Sequence, residues 1–313
     1  MSIKKGFYKD IEGVILENEL LRVAVLPSIG SKTASLVYKP LEYETLWQNP
    51  DKFYRKTGYG ASYGEGEFSG FDEMFPAISR CFYEDPPWEG TEVPDHGEVW
   101  ALPWTEKIEQ DTLVMKVRGV RFPYCLKKRV FIEGSVFRID YFLENYGPVE
   151  FHYIWAAHPL FNTCPGMEFI VPEGMNRIFN SVPGRRLGRY GREISFPMST
   201  DYQGNSFDLS KVPEKNTFGY QKYFFTDKVP EGRCSLRNPE NGLDITLSFP
   251  ETQVPYLGMW LNEGGWEGQY NIAPEPATAA MDRIDFSRMW NMGSSIGPYE
   301  KKSWYFEIKC SMA

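Results

Sequence analysis

The chain has only three histidines, so any proton transfer by an imidazole must fall to His96, His152 or His158. His96 lies in Pro94-Asp95-His96-Gly97-Glu98-Val99-Trp100, where Pro and Gly mark a turn that enters a strand. His152 and His158 share the stretch Phe151-His152-Tyr153-Ile154-Trp155-Ala156-Ala157-His158-Pro159. As one strand it would put both on the same face but roughly 20 Å apart, too far to serve one reacting centre. His158 precedes Pro159, where that strand must end, and scaffolds display reactive groups at such ends. Glu275 stands in Asn271-Ile272-Ala273-Pro274-Glu275-Pro276-Ala277-Thr278. Two prolines restrict the backbone on both sides of it, and a carboxylate held that way suits a general base. A third string, Phe68-Ser69-Gly70-Phe71-Asp72-Glu73-Met74-Phe75-Pro76 with Ser79-Arg80, sets two carboxylates and a guanidinium among aromatics. Sugar sites use that combination, stacking faces with groups that read hydroxyls. Each string also has a plain reading: a half-buried histidine, a solvated Glu in a stiffened loop, a surface loop anchored by Phe.

Period-2 alternation must supply the elements that position these residues. Leu21, Val23 and Val25 share one face, as do Leu113, Met115 and Val117. Val130–Ile132 and Val136–Tyr141 flank Glu133-Gly134 as a hairpin, Ser235–Arg237 and Leu243–Leu247 flank Asn241-Gly242 as another, and Trp304–Ile308 alternates again. Helical windows are almost absent; the single candidate is a short turn within Gly70–Ile78. The stretch 172–216, rich in Gly, Ser, Pro and Arg, reads as an irregular excursion at one end of the sheets. With 28 Gly, 23 Pro and 16% aromatic residues, the expected fold class is all-β, a large antiparallel sandwich or barrel. No repeat or linker divides the chain, so one domain over residues 1–313 is expected.

The net charge of −8 argues against nucleic acid or an anionic membrane surface as partner. No apolar run reaches the ~18–20 residues of a membrane span, and Met1–Gly13 shows no secretory leader pattern. Cys81, Cys125, Cys164, Cys234 and Cys310 are scattered, with no C-x-x-C pair, which argues against a disulfide framework or a cysteine zinc site. A cytoplasmic setting is expected.

In their order along the chain, these strings resemble the galactose mutarotase-like (aldose 1-epimerase) superfamily. Leu16-Glu17-Asn18-Glu19-Leu20-Leu21-Arg22-Val23-Ala24-Val25-Leu26-Pro27 with Ile29-Gly30 is similar to that family's opening strands. Phe71-Asp72-Glu73-Met74-Phe75-Pro76, His96-Gly97, Trp155-Ala156-Ala157-His158-Pro159-Leu160-Phe161 and Glu275-Pro276 are similar to its later landmarks. The resemblance covers nearly the whole chain and implies a β-supersandwich. It also implies a reaction, the exchange of α and β anomers of a free aldose. A carboxylate takes the O1 proton while an imidazolium protonates the ring oxygen; the ring opens, the C1–C2 bond rotates, and closure gives the other anomer. By resemblance Glu275 is the base, His158 the acid and His96 a second imidazole near the ring oxygen. Asp72, Arg80, Lys222 and Trp260 are the candidate sugar-binding residues. No metal or other cofactor is implied, the partner is a small-molecule sugar, and the protein is expected to be a monomer or homodimer.

Two features depart from the family. Its late acidic residue that grips sugar hydroxyls has no match, and Lys222 in Tyr220-Gln221-Lys222-Tyr223-Phe224 falls near that region. The Arg-containing motif of the best-known mutarotases is not reproduced around Asp72, leaving Arg80 as the substitute. The chain therefore reads as a divergent branch whose sugar is not galactose by default. Alternatives remain. Arg177, Arg185, Arg186, Arg189 and Arg192 suit a hexose-phosphate epimerase, and Trp260 with Trp266 would suit a noncatalytic sugar-binding protein. A glycoside hydrolase needs a second well-set carboxylate, and a metal site has no H-E-x-x-H signature.

Overall fold

The computed structural model describes residues 1–312 other than Arg185, Tyr202 and Phe218. The strands that carry or back the site are, in chain order, β1 (Lys32–Tyr38), β2 (Phe71–Met74), β3 (Tyr124–Glu133), β4 (Val136–Asn145), β5 (Ala156–Pro159), β6 (Phe161–Asn162), β7 (Tyr220–Phe225), β8 (Tyr256–Glu263), β9 (Tyr270–Ala277) and β10 (Lys301–Met312). A large sheet runs β1–β2–β5–β9–β8–β7 through its middle, and β6 continues along β9 beyond β5. An eight-stranded sheet contains β10–β4–β3. All of these neighbours are antiparallel. Among the described residues one α-helix occurs, Ile284–Met289.

The two sheets stack on their apolar faces. Trp155 packs on Tyr141 of β4 and Trp304 of β10 at ring-centre distances of 4.8 and 5.3 Å, and Phe71 of β2 on Phe306 of β10 at 5.4 Å. Because side chains alternate along a strand, Phe71 and Glu73 face this interior while Asp72 faces the other way. Burying a carboxylate demands a partner. Glu73 finds Lys128 of β3 at 2.6 Å and the Tyr141 hydroxyl at 2.8 Å, while Asp72 is paired with the buried Lys32 of β1. This two-sided satisfaction makes 71–74 a strand and not the helical turn expected within Gly70–Ile78.

The hairpins read from the alternation form in register, with Glu133 facing Val136 and Arg237 facing Asp244. The stretch 151–159 is not one strand. Phe151–Tyr153 pairs with Ser294–Ile296, and β5 begins only at Ala156. Between them the Ile154 N–H turns to the Pro76 carbonyl and the Trp155 N–H to the Thr278 hydroxyl, so the chain leaves one sheet before joining the other. The irregular stretch contributes Arg177–Asn180 and Glu193–Ser195 to one end of the large sheet, where its ladder terminates.

Candidate active site

Register brings the chemistry together. Ala156 of β5 faces Ala277 of β9, and Phe161 of β6 faces Ile272. Two residues along, the same register sets His158 across from Glu275. His158 in turn faces Asp72 on β2, and Glu275 faces Gly258 on β8. The outer face of the sheet therefore carries the row Asp72, His158, Glu275, Gly258. The next row is Lys222, Trp260, Ala273. His158 Nε2 lies 3.5 Å from Glu275 Oε1. Lys222 Nζ lies 3.1 Å from Glu275 Oε2 and 3.2 Å from Asp282 Oδ1. Asp282 is held in a turn whose Met281 and Asp282 both have left-handed backbones, φ 75° and 62°, and its carbonyl accepts the N–H groups of Ile78 and Ser79.

Glu275 sits in the middle of the sheet, not in a proline-stiffened loop. A central strand ordinarily rejects proline because the ladder needs its N–H. Here the Thr278 N–H points across the seam to the Trp155 carbonyl, so the neighbouring even positions of β9 face β5 as well. Pro274 and Pro276 leave donors missing on that side only, while the ladder to β8 is continuous from Tyr256 to Glu263.

His96 arrives from a loop. Its backbone is left-handed, φ 58°, and Gly97 follows at φ 76°; a Cβ on Gly97 would lie 2.1 Å from the Phe75 carbonyl oxygen, so only glycine lets this turn dock on the end of β2. Asp95 Oδ1 contacts His96 Nδ1 at 3.0 Å, and Asp95 Oδ2 accepts the Tyr63 N–H at 2.9 Å. The Tyr63 ring stacks on the imidazole at 4.0 Å and 5°, and the His96 and His158 ring centres are 5.5 Å apart. Above these groups is a cavity of about 390 Å³ whose walls include Tyr63, His96, His158, Lys222, Trp260 and Trp266. That volume is suited to a small ligand.

Burial pushes the Glu275 carboxyl above its ordinary range, with the Lys222 ammonium pulling the other way. Burial alone would lower Lys222, yet Asp282 and Glu275 outweigh it and the ammonium ends above its usual value. His158 is driven well below the usual imidazole range by burial, then by the positive charges of His96, Lys222 and Lys32. At neutral pH it is therefore a neutral ring beside Glu275, and the 3.5 Å contact is not an ion pair. Burial works against the Asp95 carboxylate, but the hydrogen bond and charge of His96 win and hold it down to about 2. Among the described residues, neither Glu275 Oε1 nor His158 Nδ1 has an aligned hydrogen-bond partner, and Glu275 Oε2 has only the Lys222 contact. Buried polar atoms rarely stay so, and here they converge beneath one cavity.

Of the residues singled out from sequence, His96, His158, Lys222 and Trp260 line the cavity and Glu275 lies directly beneath it. Asp72 does not line it: it is buried under Tyr63, whose hydroxyl donates to it at 3.4 Å, and is paired with Lys32. Arg80 does not line it either; its side chain is 55% exposed and pairs with Glu92 at 3.1 Å. His152 lies apart, 3.8 Å from Asp85. Arg177 pairs with Glu193 and Asp227, and Arg186 lies over the Phe207 ring at 3.9 Å. Neither they nor Arg189 and Arg192 line the cavity, and Arg185 falls outside the described residues. Sequence reasoning assigned no role to Tyr63, Asp95 or Asp282. Asp95 was signalled by its place beside His96; Tyr63 and Asp282 stand in stretches without a pattern. Among the described residues, no three His, Cys, Asp or Glu side chains are grouped to hold a metal ion, and no helix is long and apolar enough to cross a membrane.

No family model matches the sequence, and no curated protein matches it. Solved structures do match in shape. A protein from Escherichia coli K12 described as a "putative aldose 1-epimerase" superposes with a TM-score of 0.70 at 13% identity, covering 100% of both chains. A galactose mutarotase-like protein from Clostridium acetobutylicum gives 0.62 at 13% identity, over 100% of this chain and 99% of that one. The Slr1438 protein from Synechocystis sp. PCC 6803 gives 0.68 at 17% identity, over 98% and 99%. The fold of this chain is the galactose mutarotase-like sandwich.

Proposed function

We propose that the protein is an aldose 1-epimerase that exchanges the anomers of a neutral sugar by acid–base ring opening. The observation that carries this reading is the convergence of His158, Glu275 and His96 on one 390 Å³ cavity, with Nε2 of His158 3.5 Å from Glu275. Glu275 is the base for the O1 hydroxyl, and Lys222 favours its ionised form. The donor to the ring oxygen comes from the His96–His158 pair. Asp95 orients His96 through its 3.0 Å contact with Nδ1, in the manner of a carboxylate behind a catalytic histidine. His158, neutral in the free site, must take up a proton from solvent as the sugar binds; it passes that proton to the ring oxygen as Glu275 takes the one on O1, and ring closure reverses both transfers. Tyr63, Trp260 and Trp266 provide apolar faces for the sugar ring. The described arginines outside the cavity favour an uncharged substrate over a phosphosugar. Anomer-exchange NMR across free aldoses tests the proposal; sugar binding without exchange above the buffer rate on every aldose tried would leave a noncatalytic binding protein.

A further inference from the structure

Beside the His158 cavity lies a second, larger cleft of about 680 Å³. The two are lined by neighbouring residues at two places along the chain. Val182 lines the first and Pro183 the second; Trp266 lines the first and Gly265 the second. On β7, Lys222 looks into the cavity and Tyr220, two residues back on the same face, into the cleft. The Tyr220 ring rests against Trp260 at 5.3 Å and 31°, so an aromatic pair stands on the boundary.

Among the described residues, the cleft's chemistry is largely hydrogen-bonding, with its charges paired. Its walls are largely backbone at Gly184, Gly219 and Gly265, with the amide of Asn216 and the hydroxyl of Thr217. Among the described residues, its charged side chains are Asp201 and Arg186, and both are engaged. Asp201 accepts the N–H groups of Gln203 and Asn205 and the Asn205 amide; Arg186 lies over Phe207 and 3.8 Å from Glu263. Glycine also brings the walls close, since a Cβ on Gly265 would sit 2.4 Å from the Gly219 Cα. Polar groups without free charge, next to an aromatic face, match a ring bearing hydroxyls rather than a phosphate.

We infer that the substrate is a reducing oligosaccharide, its reducing-end ring over Glu275 and the next ring in this cleft against Tyr220. The inference rests on the anomer-exchange reading, because that reading fixes which end of the sugar is innermost.

The test compares kcat/KM for anomer exchange on glucose and galactose with (1→3)-, (1→4)- and (1→6)-linked disaccharides that carry them at the reducing end. At least one disaccharide is expected to exceed its monosaccharide by about tenfold, the scale of one added aromatic contact. Gly184→Trp fills the cleft from a position where a Cβ meets nothing closer than 3.7 Å. It should bring that disaccharide down to the monosaccharide level and leave the monosaccharide unchanged. If that variant does not fold, as judged by circular dichroism, Tyr220→Ala removes the stacking face instead. Equal or poorer exchange of every disaccharide, or equal losses on both sugars in the variant, overturns the extended site. If wild type exchanges no sugar at all, the function reading fails on its own and calorimetry decides the cleft. Tighter binding of a disaccharide than of its monosaccharide, abolished in the variant, upholds it; equal or absent binding overturns it.

Discussion

Replacing Lys222 with Met probes the charge arrangement on which Glu275 depends. The ammonium stands 3.1 Å from Glu275 and 3.2 Å from Asp282, and all three residues are buried. At such separations and an effective dielectric of about 20, each attraction is ~5 kcal/mol before desolvation; breaking a buried pair on one side costs ~3–5 kcal/mol. The Glu275 carboxyl is already above its ordinary range through burial, so the base is lost as pH falls through that raised value. Without Lys222 the opposing influence is gone, and the acid limb of the kcat/KM profile should move to higher pH by ~1–3 units. The stability deficit carries the same sign. A buried carboxylate without its cation is costly only when ionised, so the deficit against wild type should be largest at alkaline pH and shrink as pH falls through the raised value. Anomer exchange measured between pH 5 and 9, with urea denaturation at both ends, reads both effects. Lys222→Arg, which keeps the charge, should hold the limb near its wild-type position. An acid limb in Lys222→Met that stays put or moves to lower pH would refute the argument.

Glu275→Gln should lower exchange by ~10²–10⁴ with stability unchanged or higher, because burial already disfavours the charged form; thermal melts beside exchange NMR check both halves. Asp72→Asn leaves Lys32 buried without a counter-charge and should cost ~3–5 kcal/mol of stability, read by urea denaturation. Arg80→Ala touches only the surface contact with Glu92 and should change stability by less than ~0.5 kcal/mol and exchange not at all; a loss of activity would place Arg80 at the sugar after all. Glucose or galactose should be exchanged better than its 6-phosphate at low salt; a phosphosugar preference that weakens as salt is added would assign the arginine segment to substrate.

What was legible in the sequence is what is local. The 133–136 and 237–244 hairpins follow from alternation and turn residues, since both signals lie within a few positions of each other. The resemblance singled out His96, His158 and Glu275, but His158 meets Glu275 through register between strands more than 100 residues apart, and His96 joins them from a docked loop; no spacing along the chain encodes either. Separation along the chain hid the partners too. Asp72 read as a sugar ligand because Lys32, which neutralises it, lies on another strand. Lys222 read only as a candidate sugar-binding residue near the family's missing acid, and its pairing with Glu275 and Asp282 was hidden because Asp282 stands in a patternless turn. The prolines around Glu275 suggested a loop because single-strand reasoning cannot tell which side of a sheet will do without a donor. Continuous alternation suggested one strand over 151–159, although the Ile154 and Trp155 N–H groups turn to Pro76 and Thr278.

The missing donors at Pro274 and Pro276 have a mechanical consequence. They lie on the seam between β9 and β5, the two strands that present Glu275 and His158 to each other. Elsewhere a cross-strand hydrogen-bond ladder fixes the spacing of facing residues. Along this seam the ladder is incomplete, and Pro159 on the opposite strand adds another residue without an N–H. The gap between base and imidazole is thus set less by the backbone ladder than by the packing around it. On the proposed reading, a hemiacetal seated between the two side chains displaces no hydrogen bond at the proline positions, because none is donated there. The ladder is continuous toward β8 and short of donors toward β5, so the seam between Glu275 and His158 is the less constrained side of β9.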